Sequence, residues 1–142
     1  MKPKQLIPQR LKNYGKHLPI ALWANLINFF PSRKLQLIGV TGTDGKTTTV
    51  WLIHHLLQKQ GLKAGMISTI TARLGDEEAS TGFHVPSPSP LKLQKFLRKM
   101  VSGGIKYAVL EITSHALDQF RFANCHFKVG VLTNITHEHL DY

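Results

Sequence analysis

The feature that most constrains the fold of this chain is a glycine-rich run between a strand-like segment and a helix-like segment. The run reads Gly39-Val40-Thr41-Gly42-Thr43-Asp44-Gly45-Lys46-Thr47-Thr48-Thr49. The stretch from Leu35 to Val40 is short and mostly apolar, as is typical of a strand, whereas apolar side chains recur at helical spacing from Lys46 until Gly61 supplies a stop signal. The pattern therefore predicts a strand, a tight loop and a helix in direct succession.

A loop of this kind can hold a phosphate group. Glycines let backbone N–H groups point inward around an anion, and the start of the following helix adds partial positive charge. Lys46 would reach the terminal phosphates of a nucleotide, and the Thr47 hydroxyl would bind a magnesium ion. The expected nucleotide-binding residues of the loop are Gly42, Thr43, Asp44, Gly45, Lys46, Thr47 and Thr48. A general P-loop would have glycine where Val40 stands, so a purely structural glycine turn is the alternative interpretation.

The net charge of +10 is concentrated at one end of the 142 residues. Residues 1–34 carry seven basic side chains and no acidic one, and the remainder is nearly balanced, with eleven basic and eight acidic residues. The basicity therefore belongs to an N-terminal extension, and we expect no nucleic-acid partner for the nucleotide-binding body. The single cysteine, Cys125, excludes an internal disulfide and a multi-cysteine metal site, and it fits a small core residue in a reducing cytoplasm.

Within the extension, residues 18–30 form an apolar stretch that contains Trp23, Phe29 and Phe30. The stretch is too short and too polar to span a membrane, which requires about 20 apolar residues, and it lacks the small-residue cleavage site of a signal peptide. One interpretation is a basic amphipathic helix that makes weak contact with an anionic membrane surface. The preferred interpretation is a helix that packs its apolar face on the body and leaves its lysines in water.

Further strands and helices alternate along the rest of the chain. The predicted elements are strands at 63–69, 106–112 and 128–133, helices at 91–101 and 114–120, and a polar loop at 72–82. Ser89 can cap the helix that follows it, and Pro90 suits the first helical position. Alternating strands and helices predict an α/β fold, like that of P-loop NTPases, with a mostly parallel sheet and helices on both faces.

Polar residues follow every predicted strand, and ligands of such sheets bind beyond the carboxyl ends of the strands. Glu111 ends an apolar strand and would be an isolated carboxylate unless it held a magnesium ion shared with nucleotide phosphates. An acid that is simply hydrogen-bonded at a strand end is the alternative. His115, one turn further on, is by itself more typical of a structural histidine. Residues 133–142 contain two histidines and two carboxylates, which by spacing alone suit zinc or a magnesium-assisting imidazole.

Three segments together resemble the Mur ligases, and most closely the tripeptide synthetases among them, which add the third residue of the peptidoglycan stem peptide. They are Gly-Thr-Asp-Gly-Lys-Thr-Thr-Thr at 42–49, Glu-Ile-Thr-Ser-His-Ala-Leu-Asp-Gln-Phe-Arg at 111–121, and Thr-Asn-Ile-Thr-His-Glu-His-Leu-Asp-Tyr at 133–142. The resemblance covers about residues 35–142. These residues are accordingly expected to form the family's central ATP-binding domain, with residues 1–34 as an extension.

The resemblance implies an ATP-dependent amide ligase with ATP and Mg²⁺ as cofactors. ATP would phosphorylate the carboxylate of a UDP-N-acetylmuramoyl-peptide, and the amine of an amino acid would attack the acyl phosphate. Such phosphoryl transfer depends on positioning and charge neutralisation. The resemblance assigns catalytic roles to Lys46, Glu111 and His139, a nucleotide contact to Asn134, magnesium binding to Thr47, Glu111 and His139, and substrate binding to Ser87, Thr113, Gln119 and Arg121.

The chain departs from the family pattern at two positions and in extent. Pro86-Ser87 stands where two threonines are usual, and Glu138 stands where aspartate is common. The family's folded N-terminal domain and its C-terminal, amino-acid-binding domain have no counterpart among the 142 residues. We therefore expect an incomplete central domain in the cytoplasm that binds ATP but does not complete ligation alone.

Three other functions fit parts of the sequence. The phosphate loop also suits a regulatory P-loop ATPase, although the water-positioning residue and switch loops of that class are not identifiable in the chain. The basic N-terminus would suit a non-enzymatic module that binds nucleic acid or membrane. Within the family, folylpolyglutamate and cyanophycin synthetases share the ATP loop, but residues 114–121 favour the muramoyl branch.

Overall fold

A six-stranded sheet organises the computed structural model, which describes residue 11 and residues 13–75, 77–79 and 88–136. The strands are β1 (Gln36–Thr41), β2 (Ala64–Ile67), β3 (Ala72–Leu74), β4 (Glu77–Ala79), β5 (Tyr107–Glu111) and β6 (Phe127–Leu132). The helices are α1 (Leu18–Ile27), α2 (Lys46–Lys59), α3 (Pro90–Ser102) and α4 (Ser114–Asp118). A π-helical turn at Asn13–His17 precedes α1, and a 3₁₀ turn at Pro31–Lys34 leads into β1.

The strand order β4-β3-β2-β5-β1-β6 confirms the predicted α/β architecture. Strands β2, β5, β1 and β6 are parallel, and β5 lies between β2 and β1. Alternate residues of β5 face opposite sides of the sheet. Leu110 packs in the core cluster that contains α3 residues, whereas Val109 packs with Val50 of α2. Helices therefore cover the sheet on both faces.

The prediction of a polar loop at 72–82 is wrong for residues 72–74 and 77–79. Residues 72–74 and 77–79 are antiparallel strands that extend the sheet beyond β2. Arg73 and Glu78 lie opposite each other, with 3.5 Å between Nη2 and Oε2, so part of the acidic run pairs across the hairpin. Strands of three residues carry too little periodicity to be recognised, and they form here because β2 offers an edge to pair with.

Local signals at the ends of α3 and α4 explain their bounds. The Ser89 hydroxyl accepts a hydrogen bond from the Lys92 amide at the start of α3, as the capping pattern predicts. Helix α4 is shorter than predicted and ends at Asp118. Phe120 adopts a left-handed φ of 53°, which an L-residue cannot maintain within a right-handed helix.

Cys125 lies beside the core, as expected for a small core residue. It packs against the cluster on the α3 side of the sheet, and its Sγ is 3.3 Å from the Gln94 amide nitrogen. Burial raises the pKa of the Cys125 thiol to about 11, and the hydrogen bond from Gln94 opposes this shift. The thiol is therefore kept neutral at physiological pH.

The extension packs on the body through α1, as the preferred interpretation held, but the buried face carries alanines and Asn25 rather than the large apolar side chains. Ala21, Ala24 and Asn25 are buried, because small side chains let α1 approach its neighbours closely. Large apolar side chains remain in water: Trp23 is 57%, Leu26 60% and Phe29 70% exposed. Weak membrane contact by the extension remains a prediction. In the described part of the chain, every helix is too short or too polar to cross a bilayer.

Asn25 fixes α1 to the segment that follows α4. Its Nδ2 donates to Ala21 O at 2.8 Å within the helix and to Ala123 O at 2.9 Å across the interface. Ser32, after α1, adds a bond from its hydroxyl to Asn124 O at 3.3 Å. The N-terminal segment is therefore attached to residues 114–124 by polar contacts as well as by packing.

We predict that Asn25→Ala lowers the free energy of unfolding by about 1–2 kcal/mol, because Ala123 O loses its donor in a partly buried position. Leu26→Ala is the matched control on the exposed face and should change it by less than about 0.5 kcal/mol. Urea unfolding followed by circular dichroism measures both. Equal losses from the two substitutions would contradict the role of Asn25 in this interface.

Candidate functional site

The glycine-rich loop lies between β1 and α2, as predicted, and two of its glycines have conformations that favour glycine. Gly42 has a φ of 136° and Gly45, which caps α2, has a φ of 76°. A Cβ on Gly42 would collide with the Thr133 hydroxyl and lie 2.9 Å from Asn134 O. The sequence therefore needs glycine at 42, because the segment after β6 passes directly over the loop.

Lys46 closes this loop over itself. Its Nζ donates to Gly42 O at 2.8 Å and to Thr43 O at 2.5 Å. The first backbone bond of α2 runs from the Thr49 amide to Gly45 O at 2.9 Å. The amides at the start of a helix have no intrahelical acceptor and carry partial positive charge. The ammonium group of Lys46 adds a full positive charge beside them, at the glycine-rich loop. Thr48 lies in the same first turn and is exposed.

Glu111 lies beside this loop at the end of β5. It is paired in register with Val40 of β1 and is only 6% exposed. Its Oε2 accepts hydrogen bonds from the Thr47 hydroxyl at 3.0 Å, the Thr69 amide at 3.0 Å and the Thr69 hydroxyl at 3.3 Å. Its Oε1 has no hydrogen-bond partner within the described residues.

This arrangement fits a magnesium ion. A hydroxyl and a carboxylate are hard oxygen ligands of the kind that Mg²⁺ prefers, and two such side chains suffice when nucleotide phosphates and water complete the shell. Residues 11, 13–75, 77–79 and 88–136 contain no group of three His, Cys, Asp or Glu side chains placed to hold a metal. The zinc alternative concerned residues 133–142, most of which lie outside the described residues.

Thr69 is a site residue whose role the sequence did not assign. Sequence reasoning noted a polar pair, Ser68-Thr69, after the second strand. Ile67 of β2 pairs with Leu110 of β5, so the residues that follow β2 lie next to Glu111. The sequence did show that Thr69 follows the end of a strand. Its contact with Glu111 could not be predicted from this position alone, because the contact requires β2 and β5 to be neighbours in the sheet.

The segment after β6 is hydrogen-bonded to the glycine-rich loop, which we also call the phosphate loop. Asn134 Oδ1 accepts hydrogen bonds from the Thr43 amide at 3.1 Å and the Asp44 amide at 2.9 Å. The Thr133 hydroxyl donates to Asp44 O at 2.6 Å, and the Thr136 amide donates to the Thr43 hydroxyl at 3.0 Å. Asn134, expected to contact the nucleotide, thus binds the loop backbone in this structure.

Three of the four expected substrate-binding residues lie together after Glu111. The Thr113 hydroxyl accepts a hydrogen bond from the Ala116 amide and so caps α4. Gln119 Oε1 accepts bonds from Arg121 Nε at 3.0 Å and Nη2 at 2.7 Å, and Gln119 Nε2 lies 2.7 Å from His115 Nε2. Burial lowers the pKa of Arg121. His115, interpreted as structural, belongs to this linked group.

Two predicted site residues, Ser87 and His139, lie outside the described residues. The same holds for Pro86 and Glu138, where the chain departs from the family pattern, and for Asp141. The structure therefore places Glu111 beside the phosphate loop, and the segment from Thr113 to Arg121 follows Glu111 in the chain.

Known proteins are similar to this chain in sequence and in fold. Residues 40–142 match the Mur ligase middle domain. The UDP-N-acetylmuramoyl-L-alanyl-D-glutamate–2,6-diaminopimelate ligase of Parabacteroides distasonis is 43% identical over 112 residues, which are 79% of this chain and 23% of that protein. The ligase of the same name from Bacillus cereus is 42% identical over 125 residues, 87% of this chain and 25% of that protein. The chain thus spans about a quarter of the length of these curated relatives.

A solved structure of a UDP-N-acetylmuramoyl-L-alanyl-D-glutamate–2,6-diaminopimelate ligase superimposes with a TM-score of 0.70 at 27% sequence identity. The superposition covers 82% of this chain and 24% of that one. The match in sequence and the match in fold point to the same family. The chain therefore belongs to the Mur ligase family, and residues 40–142 match its middle domain.

Proposed function

We propose that this chain binds Mg·ATP and supplies the ATP-binding part of an amide ligase that acts on a UDP-N-acetylmuramoyl-peptide. One observation carries the proposal: the Thr47 hydroxyl of the phosphate loop lies 3.0 Å from the Glu111 carboxylate at the end of the neighbouring strand. A magnesium ion bound there would contact the nucleotide phosphates as well. Lys46 and the amides of α2 would take the remaining negative charge.

Charge neutralisation explains why such a site can transfer a phosphoryl group. The ammonium of Lys46 now rests on two loop carbonyls, Gly42 O and Thr43 O, and phosphate oxygens would replace these acceptors. Thr47 and Glu111 would hold a magnesium ion that neutralises phosphate charge, and His139, outside the described residues, would assist a second magnesium. Little covalent chemistry is required of the protein, since preorganised charge supplies most of the stabilisation of the transition state.

The acceptor of the phosphoryl group would be the substrate carboxylate. The relatives are named as ligases of UDP-N-acetylmuramoyl-L-alanyl-D-glutamate and 2,6-diaminopimelate, so a muramoyl-peptide carboxylate is the proposed acceptor here. Thr113, Gln119 and Arg121 would bind this substrate, together with Ser87. Gln119 Oε1 now accepts from both Nε and Nη2 of Arg121, and a carboxylate or phosphate of the substrate would replace it as a bidentate partner.

We further propose that residues 1–34 form an extension and residues 35–142 a central domain of a cytoplasmic enzyme. The amino acid and its binding site would come from the parts of a Mur ligase that the 142 residues do not contain. Acyl phosphate chemistry would begin at the site described here, and amide formation would require those other parts.

Glu111→Gln tests the metal site. We predict that it weakens Mg·ATP binding about tenfold or more, because the substitution removes the anionic ligand and costs at least about 1.4 kcal/mol. Chelation of Mg²⁺ with EDTA should weaken binding by the unsubstituted protein but have little further effect on the variant. Isothermal titration calorimetry measures both. Glu77→Gln, an exposed carboxylate of β4, is the matched control and should bind as the unsubstituted protein does.

Binding of Mg·ATP to Glu111→Gln with unchanged affinity and unchanged magnesium dependence would refute the metal site. Circular dichroism of the variant establishes that it is folded before the comparison is made.

Thr69→Val tests whether Thr69 positions Glu111. The variant keeps the amide bond to Oε2 but loses the hydroxyl bond at 3.3 Å. We predict a loss of about threefold to tenfold in Mg·ATP affinity, since a net hydrogen bond is worth about 0.5–1.5 kcal/mol. Thr69→Ser retains the hydroxyl and should restore the affinity. A serine variant as weak as the valine variant would show that packing, rather than the hydrogen bond, is responsible.

The chain alone should bind Mg·ATP but form no amide. Incubation with ATP, UDP-N-acetylmuramoyl-L-alanyl-D-glutamate and 2,6-diaminopimelate, followed by mass spectrometry, would detect the tripeptide product. Amide formation would contradict our proposal that other parts of the ligase are required. Phosphate release that is independent of the acid substrate would favour a regulatory ATPase instead.

A further inference from the structure

Helix α1 has two sides that differ in the size of their side chains. Ala21, Ala24 and Asn25 lie on the buried side. Residues of a helix are about 100° apart around its axis, so the positions opposite these three lie together. This opposite side, which we call the outward face, consists of large apolar residues that are between 37% and 60% exposed: Ile20, Leu22, Trp23, Leu26 and Ile27. A contiguous apolar face in contact with water marks an interaction surface.

Helix α3 lies next to α1 and supplies positive charge. Four of its exposed side chains are basic, and we call them the basic face of α3: Lys92, Lys95, Arg98 and Lys99. Arg98 connects this face to the end of α1, because its Cζ lies 5.2 Å from the centroid of the exposed Phe29 ring. Basic and apolar side chains of the two helices are therefore adjacent on the surface.

Arg33 repeats this arrangement in the turn after α1. Its side chain is exposed, and its Cζ lies 4.7 Å from the centroid of the Phe30 ring. An arginine over an aromatic ring is a favourable contact that keeps a cation beside apolar surface. The combination of a guanidinium and an aromatic ring thus occurs at two places next to α1.

The positive charge of the chain is concentrated in the two segments that contain these helices. Residues 1–36 and 88–106 carry twelve basic residues and no acidic one. Residues 37–87 and 107–142 carry six basic and eight acidic residues. The basic N-terminal extension was evident from the sequence, whereas the contact between α1 and α3 shows that two basic segments meet.

We propose that the outward face of α1 and the basic face of α3 together dock the protein on the surface of an anionic lipid bilayer, an interaction beyond the proposed function. Leu22, Trp23 and Leu26 would enter the boundary between lipid headgroups and acyl chains, and the basic side chains would bind lipid phosphates. Helix α1 has ten residues, too few to cross a bilayer, so it would lie in the plane of the membrane.

An anionic bilayer matches both the charge and the apolar character of this surface, whereas two other partners match only one. A nucleic acid would match the charge, but most contacts to it are made to phosphate and sugar and would leave the outward face in water. A second copy of the chain would cover the outward face, but a two-fold interface would bring the two basic faces near each other. Tryptophan and leucine beside lysine and arginine are typical of helices that lie on membranes.

The test uses the full chain without nucleotide and measures binding to vesicles by flotation. The vesicles contain phosphatidylcholine with phosphatidylglycerol, or phosphatidylcholine alone as the uncharged surface. Leu22→Ser/Leu26→Ser removes apolar side chains from the outward face. Its matched control, Leu52→Ser/Leu56→Ser, changes two leucines of α2 that have the same spacing and similar exposure.

A second pair of variants tests the charge. Lys95→Gln/Arg98→Gln neutralises two residues of the basic face, and Lys59→Gln/Lys63→Gln neutralises two exposed lysines outside it. Circular dichroism establishes that each variant is folded before it is compared.

We expect the unsubstituted protein to bind the anionic vesicles at least about tenfold more tightly than the neutral ones, and less tightly as the salt concentration rises. Leu22→Ser/Leu26→Ser and Lys95→Gln/Arg98→Gln should each weaken binding to the anionic vesicles about tenfold, because apolar burial and charge both contribute. The two control variants should bind as the unsubstituted protein does. The emission of Trp23, recorded in Trp51→Phe, should shift to shorter wavelength with vesicles, because the indole would leave water.

Failure of the unsubstituted protein to bind the anionic vesicles would overturn the proposal. Full vesicle affinity of Leu22→Ser/Leu26→Ser would also overturn it, because the surface would then recognise charge alone and should bind duplex DNA equally well. A dimer in analytical ultracentrifugation that the same substitutions abolish, without vesicle binding, would show instead that a second copy covers the outward face. Mg·ATP takes no part in these assays, so failure of the proposed function would leave their outcome unchanged.

Discussion

The carboxylate of Glu111 joins three segments that follow three different strands. One oxygen accepts hydrogen bonds from Thr47 after β1 and from Thr69 after β2, and Glu111 itself ends β5. A buried carboxylate is costly unless donors surround it, so these bonds hold the strand ends in one arrangement. The phosphate loop, the turn after β2 and the segment leading to Arg121 are all positioned relative to this group.

The loop receives a second constraint from β6. Thr133 and Asn134 bind the backbone of Thr43 and Asp44, and the close approach requires glycine at position 42. The loop is therefore held at its start by β1 and along its course by the residues that follow β6. Such preorganisation reduces the reorganisation that is needed when charge develops on a phosphate. Binding of a nucleotide would change the partners of Lys46 more than the course of the loop.

The N-terminal segment is part of the same structural unit rather than an independent tail. Asn25 and Ser32 bond to the backbone of Ala123 and Asn124, and Asn13 bonds to Asp118. The apolar stretch at 18–30 predicted a helix, but the interface uses Ala21, Ala24 and Asn25 of α1 and leaves Trp23 exposed. Helices approach closely where their side chains are small, and composition alone does not show which face has a neighbour.

The sequence by itself determined the α/β class, the loop between β1 and α2, and the cap of α3, because each depends on the spacing and chemistry of neighbouring residues. It also indicated Lys46, Thr47 and Glu111 as a group, through the strand ends and the family resemblance. Only the tertiary structure decided that Thr69 binds Glu111, that Asn134 binds the loop and that the π-helical turn meets Phe120. These contacts depend on which strands are neighbours and which helix faces meet. The local spacing of apolar and polar residues does not determine which strands pair across the sheet.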